Sequence, residues 1–211
     1  MLLALDTASP TVAVGLYDGT TVLADLVSER AMKHGEELAP LIEAALAQGG
    51  IAPADLTAVG VGVGPGPFTG LRVGLVTART LGLVLDVPVR GVCSLDVLAA
   101  EAVATGAVTG PFTVATDARR KEVYLATYDA AGRRTSGPVV ERPATVATDG
   151  PVVGEGALLY PEAFPNPVGP LRPAGAWVAR AVADGLAEVL PPEPLYLRRP
   201  DAEIPHATMP A

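Results

Sequence analysis

Apolar and polar positions alternate between two periods along this chain. Met1 to Leu5 is an apolar run that stops at Asp6, and Thr7-Ala8-Ser9-Pro10 is a polar turn. Val12 to Tyr17 is a second strand-like run, Asp18-Gly19 is a hairpin signal, and Thr21 to Val27 is a third run. The period then changes. Leu38, Leu41, Ile42, Ala45 and Leu46 recur at helical spacing. The predicted helix covers Glu36 to Gln48, with acids in its first turn and Gly49-Gly50 to stop it.

The chain is organised around the stretch from 58 to 92. Ala58 to Val63 predicts a strand of small residues, Gly64-Pro65-Gly66-Pro67 a turn, and Leu71 to Leu85 a helix, with Thr69 as its expected N-cap. That helix is apolar on nearly every side. Val73, Leu75, Val76, Leu81, Leu83 and Val84 cover most directions, where a surface helix should show a polar face. Val87 to Val92 reads as the next strand, and Ser94 as the cap of a helix through Ala102.

The second half echoes the first. Phe112 to Thr116 is a strand ending in Asp117, Glu122 to Tyr128 is the next, and Asp129 opens a hairpin turn. Asp6 and Asp117, Tyr17 and Tyr128, and Asp18 and Asp129 are each 111 positions apart, which favours a duplicated fold. Beyond this point, Val152-Val153 enters a glycine turn, 161 to 173 is proline-rich and irregular, and Trp177 to Leu190 predicts a helix. Two lobes are expected, 1–102 and 103–199, joined through the small residues near 103 to 110, with a frayed tail over 200–211.

Composition narrows the function classes. The 211 residues are 49% hydrophobic but only 4% aromatic, so the core must be built of Val, Leu and Ala. The formal net charge of −8 opposes general gripping of a phosphate backbone. Arg119-Arg120-Lys121 is the one tight basic cluster, with a solvated face and an RNA or partner contact as its two readings. Cys93 is single, so no intrachain disulfide forms. Charges and prolines interrupt the apolar region from 71 to 92, and Met1 opens directly on a strand, so no membrane association and a cytoplasmic location are expected.

Candidate chemistry gathers in two places. Asp6, Thr7 and Ser9, together with Gly64, Gly66, Thr69, Gly70 and Arg72, form a candidate phosphate or nucleotide loop. A glycine-rich loop before a helix N-terminus suits anions. No lysine follows the last glycine, however, and the spacing misses the dinucleotide pattern by one residue. The competing reading is that these glycines only allow close packing. His34 has no second histidine nearby, since the other is His206, so no metal site is expected.

GVGPGPFTGLRVGLVTARTLG, with LLALDTAS, HGEELAPLIEAAL, DARRKEVYLATYD and PLYLRRPD, resembles the TsaB (YeaZ) family over nearly the whole chain. The resemblance implies an α/β fold of two actin-like, ribonuclease-H-like lobes, each with a mixed sheet. In active actin-like members the first Asp and the hydroxyl-rich turn handle metal and phosphate; here Asp6, Thr7 and Ser9 stand in those places. It implies a non-catalytic subunit in the synthesis of threonylcarbamoyladenosine in tRNA. The partners would be a TsaD-like catalytic subunit and a TsaE-like ATPase, with tRNA bound through the complex and a homodimer when the protein is alone. It implies no tightly bound cofactor, with ATP or ADP confined to the partner interface. The expected interface residues are His34, Leu38, Leu41, Ile42 and Ala45 on the first helix and Leu71, Leu75 and Ala78 on the second. The alternative is a stand-alone actin-fold ATPase, a phosphotransferase or a peptidase-like hydrolase. It lacks a phosphate-clamping base other than Arg72, and it lacks a complete nucleophile or metal set.

Overall fold

A computed structural model describes residues 1–28 and 33–198. The expected tail over 200–211 lies outside the described residues. Strands β1 (Leu2–Asp6), β2 (Ala13–Tyr17) and β3 (Val22–Val27) form an antiparallel meander. Helix α1 (His34–Gly49) leads to β4 (Ala58–Gly62), and α2 (Phe68–Leu85) leads to β5 (Val89–Val92). Both of these strands run parallel to β1 and to each other, because each helix carries the chain back over the sheet.

Helix α3 (Ser94–Ala104) then enters a second copy of the plan. Its strands are β6 (Phe112–Asp117), β7 (Val123–Tyr128) and β8 (Arg134–Glu141), followed by the two-residue strands β9 (Val152–Val153) and β10 (Pro167–Val168), with the short helix α4 (Glu155–Leu159) between them. The last elements are helix α5 (Gly175–Ala183) and strand β11 (Val189–Leu190). The sheet orders are β11-β5-β4-β1-β2-β3 and β10-β9-β6-β7-β8. Without β11, one order maps onto the other strand for strand, with matching directions. The expected pair of actin-like lobes is therefore present as a duplication. The residues spaced by 111 occupy equivalent strand ends.

The central strands β1, β2 and β4 are buried at every position. Side chains alternate between the two faces of a strand. Leu3 and Leu5 join Leu38, Ile42, Ala45, Leu75 and Ala78 under α1 and α2. Leu2 and Ala4 face the other way and join Val178, Ala179 and Val182 of α5. The second lobe is covered in the same fashion, with Leu95, Leu98 and Ala102 of α3 packed on Phe112, Val114 and Tyr128. Each lobe thus lends its last helix to the other, and Val97 of α3 reaches into the cluster formed by α5.

This exchange changes the expected division. The segment 103–199 is shared, because α5 and β11 belong to the first sheet, while α3, assigned to the first lobe, covers the second. The helix expected over Trp177 to Leu190 stops at Ala183, where Gly185 turns the chain at φ 68°, and Val189–Leu190 pairs with β5 instead. Strand β8 was not legible in the sequence. It is an exposed edge strand that contains Gly137 and Pro138, residues that read as a turn.

Helix α5 starts so close to β2 that the backbones of Gly15 and Gly175 touch. Asp25 of β3 accepts a hydrogen bond from the Ala176 amide at 3.0 Å, satisfying a donor that no residue of the helix itself caps. A Cβ at Gly15 would collide with the Gly175 carbonyl. Gly15→Ala is therefore expected to destabilise the protein by about 1–3 kcal/mol. Urea unfolding measures this, and an unchanged midpoint would show that α5 is not held by this contact.

Candidate functional site

The two candidate sites meet at the C-terminal end of β1. The turn after Asp6 lies against the glycine loop that precedes α2. Thr7 donates from Oγ1 to the Gly70 carbonyl at 2.8 Å. A side chain at Gly66 would strike the Ala8 backbone, and one at Gly70 the Thr7 carbonyl. The close-packing reading of these glycines describes what they do here. Helix α2 begins at Phe68 with Pro67 as its N-cap, so Thr69, the expected cap, is an exposed residue of the first turn. Arg72, the one base near the loop, is turned away from it. Its Nε donates to the Tyr196 hydroxyl at 3.0 Å, and its guanidinium lies 5.8 Å from the ring centres of both Phe68 and Tyr196.

Asp6 is 1% exposed and fully bonded. Its carboxylate accepts from the Ala8 amide at 2.7 Å and from Ser94 Oγ at 2.6 Å. Ser94, expected to cap α3, is instead the first helical residue, with its hydroxyl committed to Asp6. Burial pushes the Asp6 carboxyl up to about 6, against the lowering effect of Ser94, the Ala8 amide and nearby His34. Ser9 and Asp117 line the seam between the lobes, together with Ser94, Thr116, Glu155 and Arg172. That seam encloses about 10 Å³, roughly the room one water needs and far below a nucleotide. The turn after Asp6 is therefore packed against the seam, with little enclosed space beside it in this arrangement.

His34 is buried, and its Nε2 bonds the Ser9 carbonyl at 2.8 Å, tying α1 to the same turn. Among the described residues no three His, Cys, Asp or Glu side chains come together as a metal set. Cys93 is fully buried, and its thiol is pushed up to about 12, chiefly by burial, so it is no nucleophile near neutral pH.

The expected partner residues need correction. His34, Leu38, Ile42, Ala45, Leu71, Leu75 and Ala78 are all buried, and Leu41 is half-buried against the same core. The most regular apolar face of each helix turns to its own sheet, which leaves the other side outward. On α2 that outer side carries Val76 at 63%, Leu83 at 85% and Val84 at 73% exposure. Half-buried Val73 and Leu81 flank it, and Arg72, Arg79 and Thr80 are the exposed polar residues beside it. On α1 the exposed residues include the short side chains of Ala39, Ala44 and Ala47. By length and composition alone α2 is apolar enough to cross a membrane, although its inner side is part of the lobe core. The excess of apolar residues on α2 signalled this stripe in the sequence, but only the structure gave its direction.

The raised Asp6 carboxyl makes a pH prediction. A folded value above the ordinary one near 3.8 means stability is fully present below pH 4 and is lost as pH rises through about 6. Asp6→Asn keeps an acceptor for Ala8 and a donor for Ser94 without the charge. Relative to it, the wild type is expected to lose roughly 2 kcal/mol between pH 4 and pH 6.5. Parallel pH-dependent urea titrations of the two proteins that run with the same slope would refute this assignment.

The family model described as TsaD: tRNA N6-adenosine threonylcarbamoyltransferase matches residues 22–170. A Mycobacterium tuberculosis protein described as uncharacterized is 44% identical over 207 residues, covering 96% of this chain and 93% of that one. The Bacillus subtilis tRNA threonylcarbamoyladenosine biosynthesis protein TsaB is 35% identical over 127 residues, covering 60% of this chain and 54% of that protein. The solved structure of YeaZ from Pseudomonas aeruginosa superposes with a TM-score of 0.76 at 29% identity, covering 93% of this chain and 99% of that one. With the duplicated fold, the closed seam and these likenesses in hand, the chain belongs to the family of that threonylcarbamoyltransferase model, on its TsaB (YeaZ) branch of tRNA threonylcarbamoyladenosine biosynthesis proteins.

Proposed function

We propose that this protein is a non-catalytic subunit that docks on a TsaD-type threonylcarbamoyltransferase and supports it. A TsaE-type ATPase joins the same assembly. The observation that carries this reading is the apolar stripe on α2, Val76, Leu83 and Val84, left uncovered by the lobe that built the helix. A stripe this exposed, next to the small side chains of α1, suits the close approach of helices from another subunit. Two copies of this chain meet through the same face when the partner is absent. The closed seam around Asp6 supports the non-catalytic part of the reading, because it leaves no room for a nucleotide. Any ATP or ADP in the assembly is held where the subunits join or on the partner.

Leu83→Glu and Val76→Glu test the stripe. Both side chains are exposed in the free protein, so both variants are expected to fold with unchanged melting temperature. In the complex each would bury an unpaired carboxylate, a cost of several kcal/mol, or about a hundredfold or more in affinity. A calorimetric titration against the TsaD-type subunit reads the effect. Leu41→Glu serves as contrast, since Leu41 leans on the core and its charge is expected to lower folding stability as well. Wild-type affinity in both stripe variants would remove α2 from the interface.

A further inference from the structure

The interface between the two repeats holds an acid with a buried, unbonded oxygen. Helix α3 faces two ways. Leu98 and Ala102 pack on the second sheet, while Val97 reaches the cluster built by α5. Glu101 follows Val97 by one helical turn and so lies on the same side, toward α5. The residue is half-buried, but its Oε2 is shut off from solvent and bonds nothing among the described residues. A carboxylate oxygen in that position loses its hydration and gains no donor in return.

The charge that acts on Glu101 has the same sign. Asp25 belongs to β3 of the first sheet, and its Oδ1 is already committed to the Ala176 amide at the start of α5, at 3.0 Å. The cations on and beside the elements packed around α3 are engaged elsewhere. Arg180 of α5 pairs with Asp184 at 3.3 Å and lies 4.4 Å from the Trp177 ring centre. Arg134, which opens β8, lies between Asp96 and Glu188, and Arg133 pairs with Asp129. The strands under α3 offer no partner either. Asp117 of β6 pairs with Arg119 and acts on Tyr124 of β7, while Tyr128 of β7 donates to Asp96 at 2.7 Å. Strand β9 carries no titratable side chain. Burial first, and the Asp25 charge second, push the Glu101 carboxyl up to about 7.

We propose that Glu101 and Asp25 form a proton-operated latch between the two repeats. When Glu101 holds a proton, the junction of α3, β3 and the start of α5 carries one negative charge fewer and stays closed. When the proton leaves, the two carboxylates repel one another across the junction, and the start of α5 loosens from β3. A carboxyl held above its ordinary value of 4.5 contributes stability that is complete below about pH 4.5 and is lost as pH rises through about 7. The latch does not depend on the docking role of α2.

Carboxyl-carbon NMR of the labelled full chain, recorded from pH 4 to pH 9, tests the titration, with Glu101→Gln identifying the Glu101 signal. The wild-type signal is expected to titrate near pH 7, and in Asp25→Asn at a lower pH, because the repelling charge is gone. Amide hydrogen exchange at Ala176, Trp177 and Val178 reads the loosening of α5. The ratio of wild-type to Glu101→Gln exchange rates cancels both the intrinsic pH dependence and the titration of Asp6. That ratio is expected to rise roughly tenfold from pH 5 to pH 8, with solvent screening around a half-buried residue already allowed for. Melting curves at pH 5 control for folding, and neither the wild-type titration nor the exchange ratio requires Asp25→Asn to fold. The proposal fails if Glu101 titrates near its ordinary value, if the exchange ratio is flat between pH 5 and pH 8, or if a folded Asp25→Asn leaves the Glu101 midpoint in place.

Discussion

The architecture depends on a sheet that is apolar on both faces. Burying β1, β2 and β4 completely requires a helical layer on each side, and the first repeat supplies only one, from α1 and α2. The other layer comes from the far end of the chain, where α5 settles on Leu2, Ala4 and Tyr17 through the contact between Gly15 and Gly175. The second sheet receives α3 in return. Neither repeat therefore closes its core alone, and the exchange makes one folded unit of a duplicated sequence.

The same arrangement accounts for what remains open. With both faces of the first sheet covered, nothing in the described chain lies over the outer side of α2. Leu83 and Val84 are among the most exposed apolar side chains of the molecule. The exchange also pulls α3 against the end of β1, where Ser94 meets Asp6. Here the carboxylate is bonded to a serine and an amide, and the turn that follows is closed down on the glycine loop by Thr7 and Gly70. The residues around Asp6 thus serve as a structural joint between β1, α3 and the glycine loop.

The acidic composition has a similar double effect. It opposes general gripping of a phosphate backbone, and the one tight run of cations, Arg119-Arg120-Lys121, lies in the β6–β7 hairpin, where Arg119 pairs with Asp117 at 3.3 Å. The left-handed backbone at three consecutive non-glycine residues could not have been read from the letters Arg-Arg-Lys. A run of like charges usually marks an ordinary solvated face.

Periodicity by itself determined the strands of the first meander, the first two strands of the second, the two long helices of the first repeat and the duplication spaced by 111 residues, since these follow from local alternation and chain direction. It also determined that α2 carries more apolar surface than one sheet can hide. Only the tertiary structure decided which side that was. Leu75 and Ala78 go inward and Leu83 and Val84 outward, because a helical period fixes relative angles and leaves the absolute direction to packing. It alone decided that α5 and β11 return to the first sheet, a contact between residues 160 positions apart, such as Gly15 and Gly175, that no local pattern encodes. It alone decided that Asp6 and Ser94 meet. Their residue types suggested a phosphate turn and a helix cap, and their hydrogen bond across the fold gave both a single structural role.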